Sequence, residues 1–341
     1  MDSVITTTDL RKSFKSKRGR VEAVRGVSID VGRGETFGFL GPNGAGKTTT
    51  LRMLTTLLPI DGGSATVAGF DVARQPQQVR TRIGYVSQLG GADELATGRE
   101  NLILQGRLYG ASRAQVEPRA DALAKLLDLA EFADRRVSTY SGGQRRRLDI
   151  ALGLVHEPAV LFLDEPTTGL DPQSRANLWD HIRALRDQGT TVFLTTHYLE
   201  EADALCDRLM IMDHGQVVAE GTPRELKQQV AGDAILISLR QGDHAAERAA
   251  SMLGHEPYVR ELATADGQLR LYVDEGGAAL PLLIRLLDQA SIGVSSISMS
   301  EPTLDDVFLR QTGRSLREEG IGGNDQADHG QARSQQKEAV R

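Results

Sequence analysis

Short apolar runs recur along the first 200 residues, and each run ends at polar or glycine-rich positions. Thr36–Leu40 and Ala159–Leu163 are of this kind, as are Ile83–Val86 and Val192–Thr196. Runs of this length and character are typical of strands buried in a parallel sheet. The pattern therefore predicts an α/β fold in which the polar groups that follow these strands meet at one edge of the sheet.

A different periodicity separates two of these strands. Between Gln88 and Ser141 lie 52 residues whose apolar positions recur with a period near 3.6, as in the stretch 120–129. Because this is the period of amphipathic helices, the segment predicts a helical subdomain at about 89–150.

The pattern restarts after residue 228. Segments follow one another in the order β-α-β-β-α-β, which is the order of a ferredoxin-like module. The predicted segments are Ala234–Leu239, Ala245–Leu253, Pro257–Ala263, Leu269–Val273, Ala278–Gln289 and Val294–Met299. Beyond them the chain is rich in Gly, Gln and charged residues, a composition typical of disorder. The expected parts are a first domain over 1–228, a small C-terminal α+β domain over 229–315 and a disordered tail over 316–341.

A phosphate-binding loop follows the first buried strand. Residues 41–48 match the pattern G-x-x-x-x-G-K-[ST], in which backbone N–H groups cradle phosphates. Lys47 supplies charge to the β- and γ-phosphate oxygens, and Thr48 offers a hydroxyl to Mg²⁺. A helix predicted over Thr48–Leu58 would direct its dipole at the phosphates. The expected nucleotide-binding residues are Gly41, Pro42, Asn43, Gly44, Ala45, Gly46, Lys47, Thr48 and Thr49.

Polar groups follow three further strands. Asp164 and Glu165 come directly after Ala159–Leu163. We expect Asp164 to hold Mg²⁺ and Glu165 to polarise the attacking water as general base. Gln88 would reach Mg²⁺ and this water, and His197 would donate a hydrogen bond to the γ-phosphate. A Gln or His at a strand end is more often a structural cap. Both predictions therefore depend on Gln88 and His197 lying at the same edge of the sheet as Asp164 and Glu165.

Taken together and in this order, the motifs resemble those of an ABC-type ATPase. They would be the Walker A, Q-loop, signature, Walker B, D-loop and H-loop motifs, at Gly41–Thr48, Gln88, Ser141–Gln144, Leu161–Glu165, Gly169–Asp171 and His197. The resemblance covers about residues 1–225 and implies a P-loop NTPase of ABC type, with a RecA-like core and a helical subdomain. It also implies a head-to-tail dimer whose ATP lies between the phosphate loop of one copy and the signature of the other. The signature residues are Ser141, Gly142, Gly143 and Gln144.

Three further positions are interpreted through this resemblance. Asp171 would help to couple the two ATP sites. Phe14 lies where the family often has a Tyr that stacks on adenine; Phe keeps the π face and loses the hydroxyl. An ordinary core aromatic is the alternative for Phe14. Tyr140 stands where Leu is common at the start of the signature.

The end of the C-terminal module narrows the resemblance. Glu301–Leu309 is similar to the terminal motif of ATP-binding subunits of the daunorubicin/doxorubicin-resistance type. As bare sequence, this segment is a capped amphipathic helix. Since the module sequence contains no phosphate loop, nucleophile or metal-ligand cluster, a regulatory or dimer-supporting role is favoured over a catalytic one.

Composition limits the classes of protein. The 341 residues carry a net charge of −6, which argues against a dedicated nucleic-acid binder, and one cysteine, which excludes a disulfide within the chain. The first ten residues do not resemble a signal peptide, and no apolar stretch approaches eighteen residues, so we expect no membrane span.

Basic residues are concentrated in 11–20, where they form a solvated turn or, alternatively, a contact with anionic lipid. Arg145–Arg147 would add positive potential near phosphate or form an exposed helix face.

The resemblance implies an ATP-binding and ATP-hydrolysing subunit of an exporter, with ATP and Mg²⁺ as cofactors. Its partners would be a separate integral-membrane permease and a second copy of the chain, at the cytoplasmic face of the membrane. Glu94–Leu102 would line the groove for the permease, although Thr97 and Glu100 equally fit a local capping box.

The expected cargo is a hydrophobic drug, an antibiotic or a lipid-like molecule. The alternative is a soluble, non-transport ABC ATPase acting on ribosomes or DNA. Such proteins usually carry two motif sets or a long coiled-coil insertion, and this sequence has neither.

Overall fold

The computed structural model describes residues 3–16, 19–229, 232–240, 245–265, 268–300, 302–313 and 315–316. The chain divides into two compact units, with the boundary between Pro223 and Arg224. Apart from Leu316, the tail predicted to be disordered lies outside the described residues. No helix in the described part of the chain is long and apolar enough to cross a membrane.

The first unit contains two sheets with helices between their strands. Its strands are β1 (Ser3–Ser16), β2 (Gly19–Gly32), β3 (Thr36–Leu40), β4 (Gly62–Val67), β5 (Phe70–Asp71), β6 (Ile83–Val86), β7 (Val160–Asp164), β8 (Thr191–Thr196), β9 (Arg208–Asp213) and β10 (Gln216–Gly221). Its helices are α1 (Lys47–Leu54), α2 (Pro76–Arg82), α3 (Gly98–Leu108), α4 (Arg113–Leu126), α5 (Gly142–Leu154), α6 (Pro172–Asp187) and α7 (Leu199–Leu205). Helix α8 (Pro223–Gln229) begins at the boundary.

The larger sheet has the strand order β10-β9-β3-β8-β7-β6. Strands β9, β3, β8, β7 and β6 are parallel, and β10 pairs with β9 in the antiparallel sense. Every residue of β3, β7 and β8 is buried, as the continuous apolar runs predict. The rings of Phe37, Phe39 and Phe162 lie 5.0–5.6 Å from that of Phe193, so aromatic packing holds the centre of this sheet together.

The smaller sheet is antiparallel, with the order β2-β1-β4-β5. Strands β1 and β2 pair as an antiparallel hairpin that carries the basic residues Arg11, Lys12, Lys15 and Arg20, whereas Lys17 and Arg18 lie outside the described residues. For Lys12 the expectation of a solvated side chain is wrong. Its ammonium group is buried, lies 2.7 Å from Asp61 Oδ1 and donates a hydrogen bond to Pro59 O. The hydrogen bond that Lys12 Nζ donates to Asp61 Oδ1 is the main reason why the pKa of Asp61 falls to about 2.

Two helices are shorter than the sequence predicts. Helix α1 ends at Leu54 instead of Leu58, because Thr56 takes a left-handed conformation (φ 63°) and the N–H of Leu57 turns back to Arg52 O. The helical pattern at 120–129 likewise ends early. Helix α4 stops at Leu126, before Asp128 with φ 48°.

Helices α3, α4 and α5 pack together as the predicted helical subdomain. A 3₁₀ turn over Val137–Thr139 precedes the signature segment. The capping box of α3 is present, because the Thr97 side chain accepts a hydrogen bond from Glu100 N and Glu100 Oε2 accepts one from Thr97 N. The local explanation of these two residues is therefore confirmed.

The second unit contains a four-stranded antiparallel sheet with the order β12-β13-β11-β14. Its elements are β11 (Asp233–Leu239), α9 (Ala245–Leu253), β12 (Val259–Ala265), β13 (Gln268–Val273), α10 (Gly276–Gln289), β14 (Val294–Ser300) and α11 (Leu304–Thr312). This is the predicted β-α-β-β-α-β order of a ferredoxin-like module. One face of the sheet packs on α9 and α10 through a core that includes Ile235, Ile237, Leu271 and Leu283.

The terminal helix α11 is tied to the sheet by a buried carboxylate. Asp306 Oδ1 accepts hydrogen bonds from Tyr272 Oη at 2.7 Å and from Arg270 Nη1 at 3.0 Å. Its other oxygen completes a capping box with Thr303. The motif that resembled the drug-resistance subunits is thus a capped helix anchored by an ion pair. Burial, together with the hydrogen bond to Asp306, raises the pKa of Tyr272.

We expect Asp306→Ala to lower the free energy of unfolding of the C-terminal module by about 2 kcal/mol, because Arg270 and Tyr272 lose their shared acceptor. Hydrogen exchange of the amides in β13, measured on the full chain, would report the loss. Asp288→Ala is the matched control, since Asp288 is exposed on α10. Equal exchange in the two variants would show that the Asp306 contacts contribute no stability.

Candidate nucleotide-binding site

The phosphate loop connects β3 to α1 and ends in a glycine that no other residue can replace without strain. Gly46 caps α1 with φ 106°, and a Cβ atom there would lie 2.5 Å from Ala23 O. The loop is closed by a hydrogen bond from Ala45 N to Pro42 O. The N–H groups of the first turn of α1 therefore open onto the space beyond β3, where an anion is stabilised by the helix dipole.

Lys47 is the most constrained cation of the site. It is only 4% exposed, and its ammonium donates hydrogen bonds to Gly41 O at 2.6 Å and to Pro42 O at 2.9 Å. Glu165 Oε1 lies 4.0 Å away. Burial lowers the pKa of Lys47 to about 8, although the negative charges of Glu165 and Asp164 oppose this effect. A charge so poorly solvated favours an anionic ligand.

Asp164 at the end of β7 joins two hydroxyl groups. Its Oδ1 atom accepts hydrogen bonds from Thr48 Oγ1 at 2.9 Å and from Thr195 Oγ1 at 2.7 Å. The carboxylate is buried. Hydroxyl and carboxylate oxygens so close together are the donor types that Mg²⁺ prefers, so these residues fit the predicted metal site.

One oxygen of Glu165 lies close to groups from two distant parts of the chain and to one group from its own segment. Its Oε2 atom lies 3.3 Å from His197 Nδ1, 3.4 Å from Gln88 Nε2 and 3.2 Å from Thr168 Oγ1. Burial alone would raise the pKa of Glu165, but interactions with His197 and Lys47 outweigh it and lower that pKa. The side chain is therefore an anion at neutral pH, as a proton acceptor must be.

The signature residues form the N-terminus of α5. Ser141 and Gln144 make a capping box, in which Ser141 N donates to Gln144 Oε1 at 3.0 Å and Gln144 N donates to Ser141 Oγ at 3.3 Å. Gly142 and Gly143 begin the helix, and a Cβ on Gly143 would lie 2.9 Å from Ser174 Oγ. The cap presents the first N–H groups of α5 at the surface, in the same way as the phosphate loop presents those of α1.

The sequence profile of the ABC transporter family matches residues 24–168, and that of the C-terminal domain of DrrA1-3-like ATP-binding proteins matches residues 221–312. Over 311 residues the chain is 45% identical to the daunorubicin resistance ATP-binding protein DrrA2 of Streptomyces coeruleorubidus, covering 89% of this chain and 94% of that protein. The chain belongs to the ATP-binding subunits of ABC transporters. It is thus an ATPase.

Two further similarities agree with this ABC assignment. The chain is 46% identical over 310 residues to the daunorubicin/doxorubicin resistance ATP-binding protein DrrA of Streptomyces peucetius, covering 91% of this chain and 92% of that protein. Among solved structures, it resembles the dimeric ATP-binding cassette MJ0796 in a post-hydrolysis state with ADP and Pi. That match has a TM-score of 0.59 and 25% identity, and covers 64% of this chain and 98% of the other. The predicted ABC-type fold and the predicted resemblance are confirmed.

Most of the predicted ABC residues lie together. Strands β3, β8, β7 and β6 are adjacent and parallel, so the residues that follow them meet at one edge, including His197, Glu165 and Gln88. Phe14 lies apart from this edge on β1 and is 39% exposed, with Lys12 Nζ 5.7 Å from its ring centre. This exposure contradicts the alternative of a core aromatic.

Asp171 has a local role that the sequence also encodes. It is the N-cap of α6, where its Oδ1 accepts a hydrogen bond from Ser174 N at 2.9 Å and its Oδ2 accepts one from Ser174 Oγ at 2.6 Å. These hydrogen bonds lower the pKa of Asp171. The coupling of two ATP sites through Asp171 stays a prediction.

Sequence reasoning missed the contacts of three residues that shape the ABC site. Thr195 donates a hydrogen bond to Asp164, and Thr168 donates one to Glu165. The signal that could have found them is their position, near the end of β8 and just after β7. Arg146 was expected to add positive potential near phosphate or to lie on an exposed helix face. Its burial contradicts the exposed face, and the positive potential near phosphate stays a prediction. The burial of Arg146 has no local sequence signal, since its contacts come from distant segments.

The lowered pKa of Lys47 predicts how nucleotide affinity depends on pH. Above pH 8, Lys47 of the free protein loses its proton. In the nucleotide complex, the bound phosphate keeps Lys47 protonated, so nucleotide binding must take up a proton. We expect the dissociation constant for ATP to rise by up to about tenfold for each pH unit above this value. Equilibrium binding of a fluorescent ATP analogue would measure it. Lys47→Arg is the control: it keeps its charge and should show no such rise. A flat profile for the wild type would contradict the assignment.

Proposed function

We propose that two copies of this chain bind two Mg·ATP between them and power a separate membrane permease through ATP hydrolysis. The observation that carries the proposal is the meeting of Gln88, His197 and Lys47 around the single carboxylate of Glu165. This arrangement combines a proton acceptor, a hydrogen-bond donor and a cation at the edge where a phosphate loop opens. Phosphoryl transfer needs this combination of positioning and charge neutralisation.

Each residue has a step that its contacts support. Lys47 exchanges the carbonyl oxygens of Gly41 and Pro42 for phosphate oxygens. A charged phosphate oxygen is a stronger acceptor for the ammonium group than a neutral carbonyl oxygen. Glu165 accepts a proton from the attacking water. His197 and Gln88 orient the water and the γ-phosphate from either side of Glu165. Mg²⁺, held through Thr48, Asp164 and Gln88, would supply further charge neutralisation.

The second copy supplies the signature. Gly41–Thr48 and Ser141–Gln144 occur once each in the chain, so a site that needs one of each from opposite copies requires two chains. The capped N-terminus of α5 provides N–H groups for the γ-phosphate of the partner's ATP. Phe14 stacks on adenine, and Asp171 links the two sites. The C-terminal module supports this dimer.

The helical subdomain offers the surface for the permease. Leu104 and Leu108 lie one turn apart on α3 and are 55% and 72% exposed, and Leu95 before this helix is 79% exposed. A cavity of about 240 Å³ is lined by residues that include Ser87, Gln105 of α3 and Asp149 of α5. An exposed apolar patch on a helix fits a short helix of a membrane protein.

The relatives indicate the direction and the cargo. Two of them carry the names daunorubicin or daunorubicin/doxorubicin resistance ATP-binding proteins, with more than 90% of their length covered by this chain. By similarity, this subunit powers export of a hydrophobic drug, an antibiotic or a lipid-like molecule. It works at the cytoplasmic face of the cell membrane, where ATP is available to it.

Glu165→Gln tests the catalytic part of the proposal. The amide cannot accept the proton of water, so we expect the variant to bind ATP and to form a stable dimer while steady-state phosphate release falls by at least about 100-fold. Phosphate release and light scattering with Mg·ATP measure the two effects. Asp180→Asn, an exposed change on α6, is the control. Phosphate release at the wild-type rate from Glu165→Gln would rule out Glu165 as the base.

Leu104→Ser combined with Leu108→Ser tests the permease surface. When the subunit is co-expressed with its membrane permease, we expect the double variant to lose most of its recovery in the membrane fraction, because the apolar contact is removed. Leu57→Ser is the matched control, since Leu57 is a similarly exposed leucine outside this subdomain. Equal membrane recovery of both variants would place the permease contact elsewhere.

A further inference from the structure

Arg146, on the second turn of α5, is a buried cation that the steps above do not use. It is 7% exposed, and its guanidinium donates hydrogen bonds to four backbone carbonyl groups. Nε donates to Pro166 O at 2.7 Å and Nη1 to Ser87 O at 2.6 Å, while Nη2 reaches Asp164 O at 3.0 Å and Glu165 O at 3.3 Å. The planar guanidinium, with its five N–H donors, can bind all of these oxygens at once.

These four carbonyl groups belong to two segments of the site. Three lie at and just after the end of β7, and the fourth, Ser87 O, immediately precedes Gln88. Glu165 itself has a φ of 46°, a left-handed conformation that a non-glycine residue keeps only when its surroundings hold it there. Arg146 therefore holds the backbone on both sides of the contact between Gln88 and Glu165.

The helix that carries Arg146 begins at the signature. Ser141 caps α5, and Arg146 lies little more than one turn further along the same helix. A displacement of this helix must move the guanidinium, and with it the carbonyl groups that it binds. The N-terminus of α5 and the carboxylate of Glu165 are thus mechanically joined within one chain.

We propose that Arg146 is a positioning residue that sets the backbone geometry of Glu165 and Gln88 for hydrolysis and links it to the position of the signature helix. This inference rests on the proposed function, in which the signature meets the ATP of the second copy. ATP bound by one chain would then act on the water-activating carboxylate of the other chain through α5 and Arg146. Arg146 contacts no reacting group in this role.

The neighbouring arginine provides a matched control. Arg147 is also partly buried on α5, but its contacts lie within the helical subdomain. Its Nη1 donates to Leu127 O at 3.2 Å and lies 3.8 Å from Asp128 Oδ2, and its guanidinium packs over the Phe132 ring. Removing either arginine takes a guanidinium out of the same helix. Only Arg146 touches the segments that hold Gln88 and Glu165.

The test compares Arg146→Gln, Arg146→Lys and Arg147→Gln in the full chain. For Arg146→Gln we expect ATP to bind with a dissociation constant within about threefold of wild type, while kcat falls on the order of 100-fold, because a small displacement of reacting groups costs this much. Lys keeps the charge without the planar fork, so Arg146→Lys should recover part of kcat. Hydrogen exchange should speed up at 86–91 and 164–168 in both Arg146 variants. Arg147→Gln should keep kcat within about twofold and leave exchange there unchanged.

Several results would overturn the inference. One is a wild-type kcat in Arg146→Gln. Another is an equal loss of kcat in Arg147→Gln, which would indicate a general effect on α5. Loss of ATP binding together with kcat would show a merely structural role. If Arg146→Gln does not fold, Arg146→Lys decides, and a wild-type kcat in that variant contradicts the inference.

Glu165→Gln separates this inference from the proposed function. If Glu165→Gln is inactive while both Arg146 variants are fully active, the inference fails and the proposed function stands. If Glu165→Gln turns over at the wild-type rate, Arg146 has no base to position, and both fail.

Discussion

The parallel pairing of β3, β8, β7 and β6 places the reactive groups of this subunit. In parallel strands the carboxyl ends face the same way, so the residues that follow four separate strands arrive at one edge. The register delivers Lys47 and Thr48 through the phosphate loop, and His197, Glu165 and Gln88 from the other strand ends. The aromatic packing around Phe193 keeps these strands in place. A fold with antiparallel strands would send half of these groups to the opposite edge.

The charges at that edge explain why the site favours a nucleotide. The positive charge of Lys47 is not neutralised by the carboxylate of Glu165. Lys47 is hydrogen-bonded to neutral carbonyl groups and remains 4.0 Å from Glu165, a separation longer than a hydrogen-bonded ion pair. Burial keeps its charge poorly solvated, which is why its pKa falls to about 8. In the proposed function, phosphate oxygens replace these weaker acceptors. Glu165, held as an anion by His197 and Lys47, stays able to accept a proton.

The features of this chain that depend on local sequence pattern could be predicted from the sequence. Buried strands, the phosphate loop, the capping box at Thr97 and the order of the C-terminal module all have short-range signals, and the structure contains each. The sequence could not predict the burial of Arg146, because the carbonyl groups that bind it come from segments 18 to 59 residues away. Lys12 was misjudged for the same reason, since its partner Asp61 lies 49 residues further on. The domain limits at 228 and 315 stay predictions.

In the proposed function, each ATP is hydrolysed between two copies of the chain. Mixing a Lys47→Ala subunit with a Ser141→Arg subunit tests it most directly, because only the mixed dimer then contains one phosphate loop and one signature that are both intact and face each other. We expect each variant alone to be inactive and the equal mixture to regain roughly a quarter of wild-type phosphate release, as random pairing into two-fold dimers gives. Phosphate release no higher in the mixture than in the separate variants would contradict a shared site.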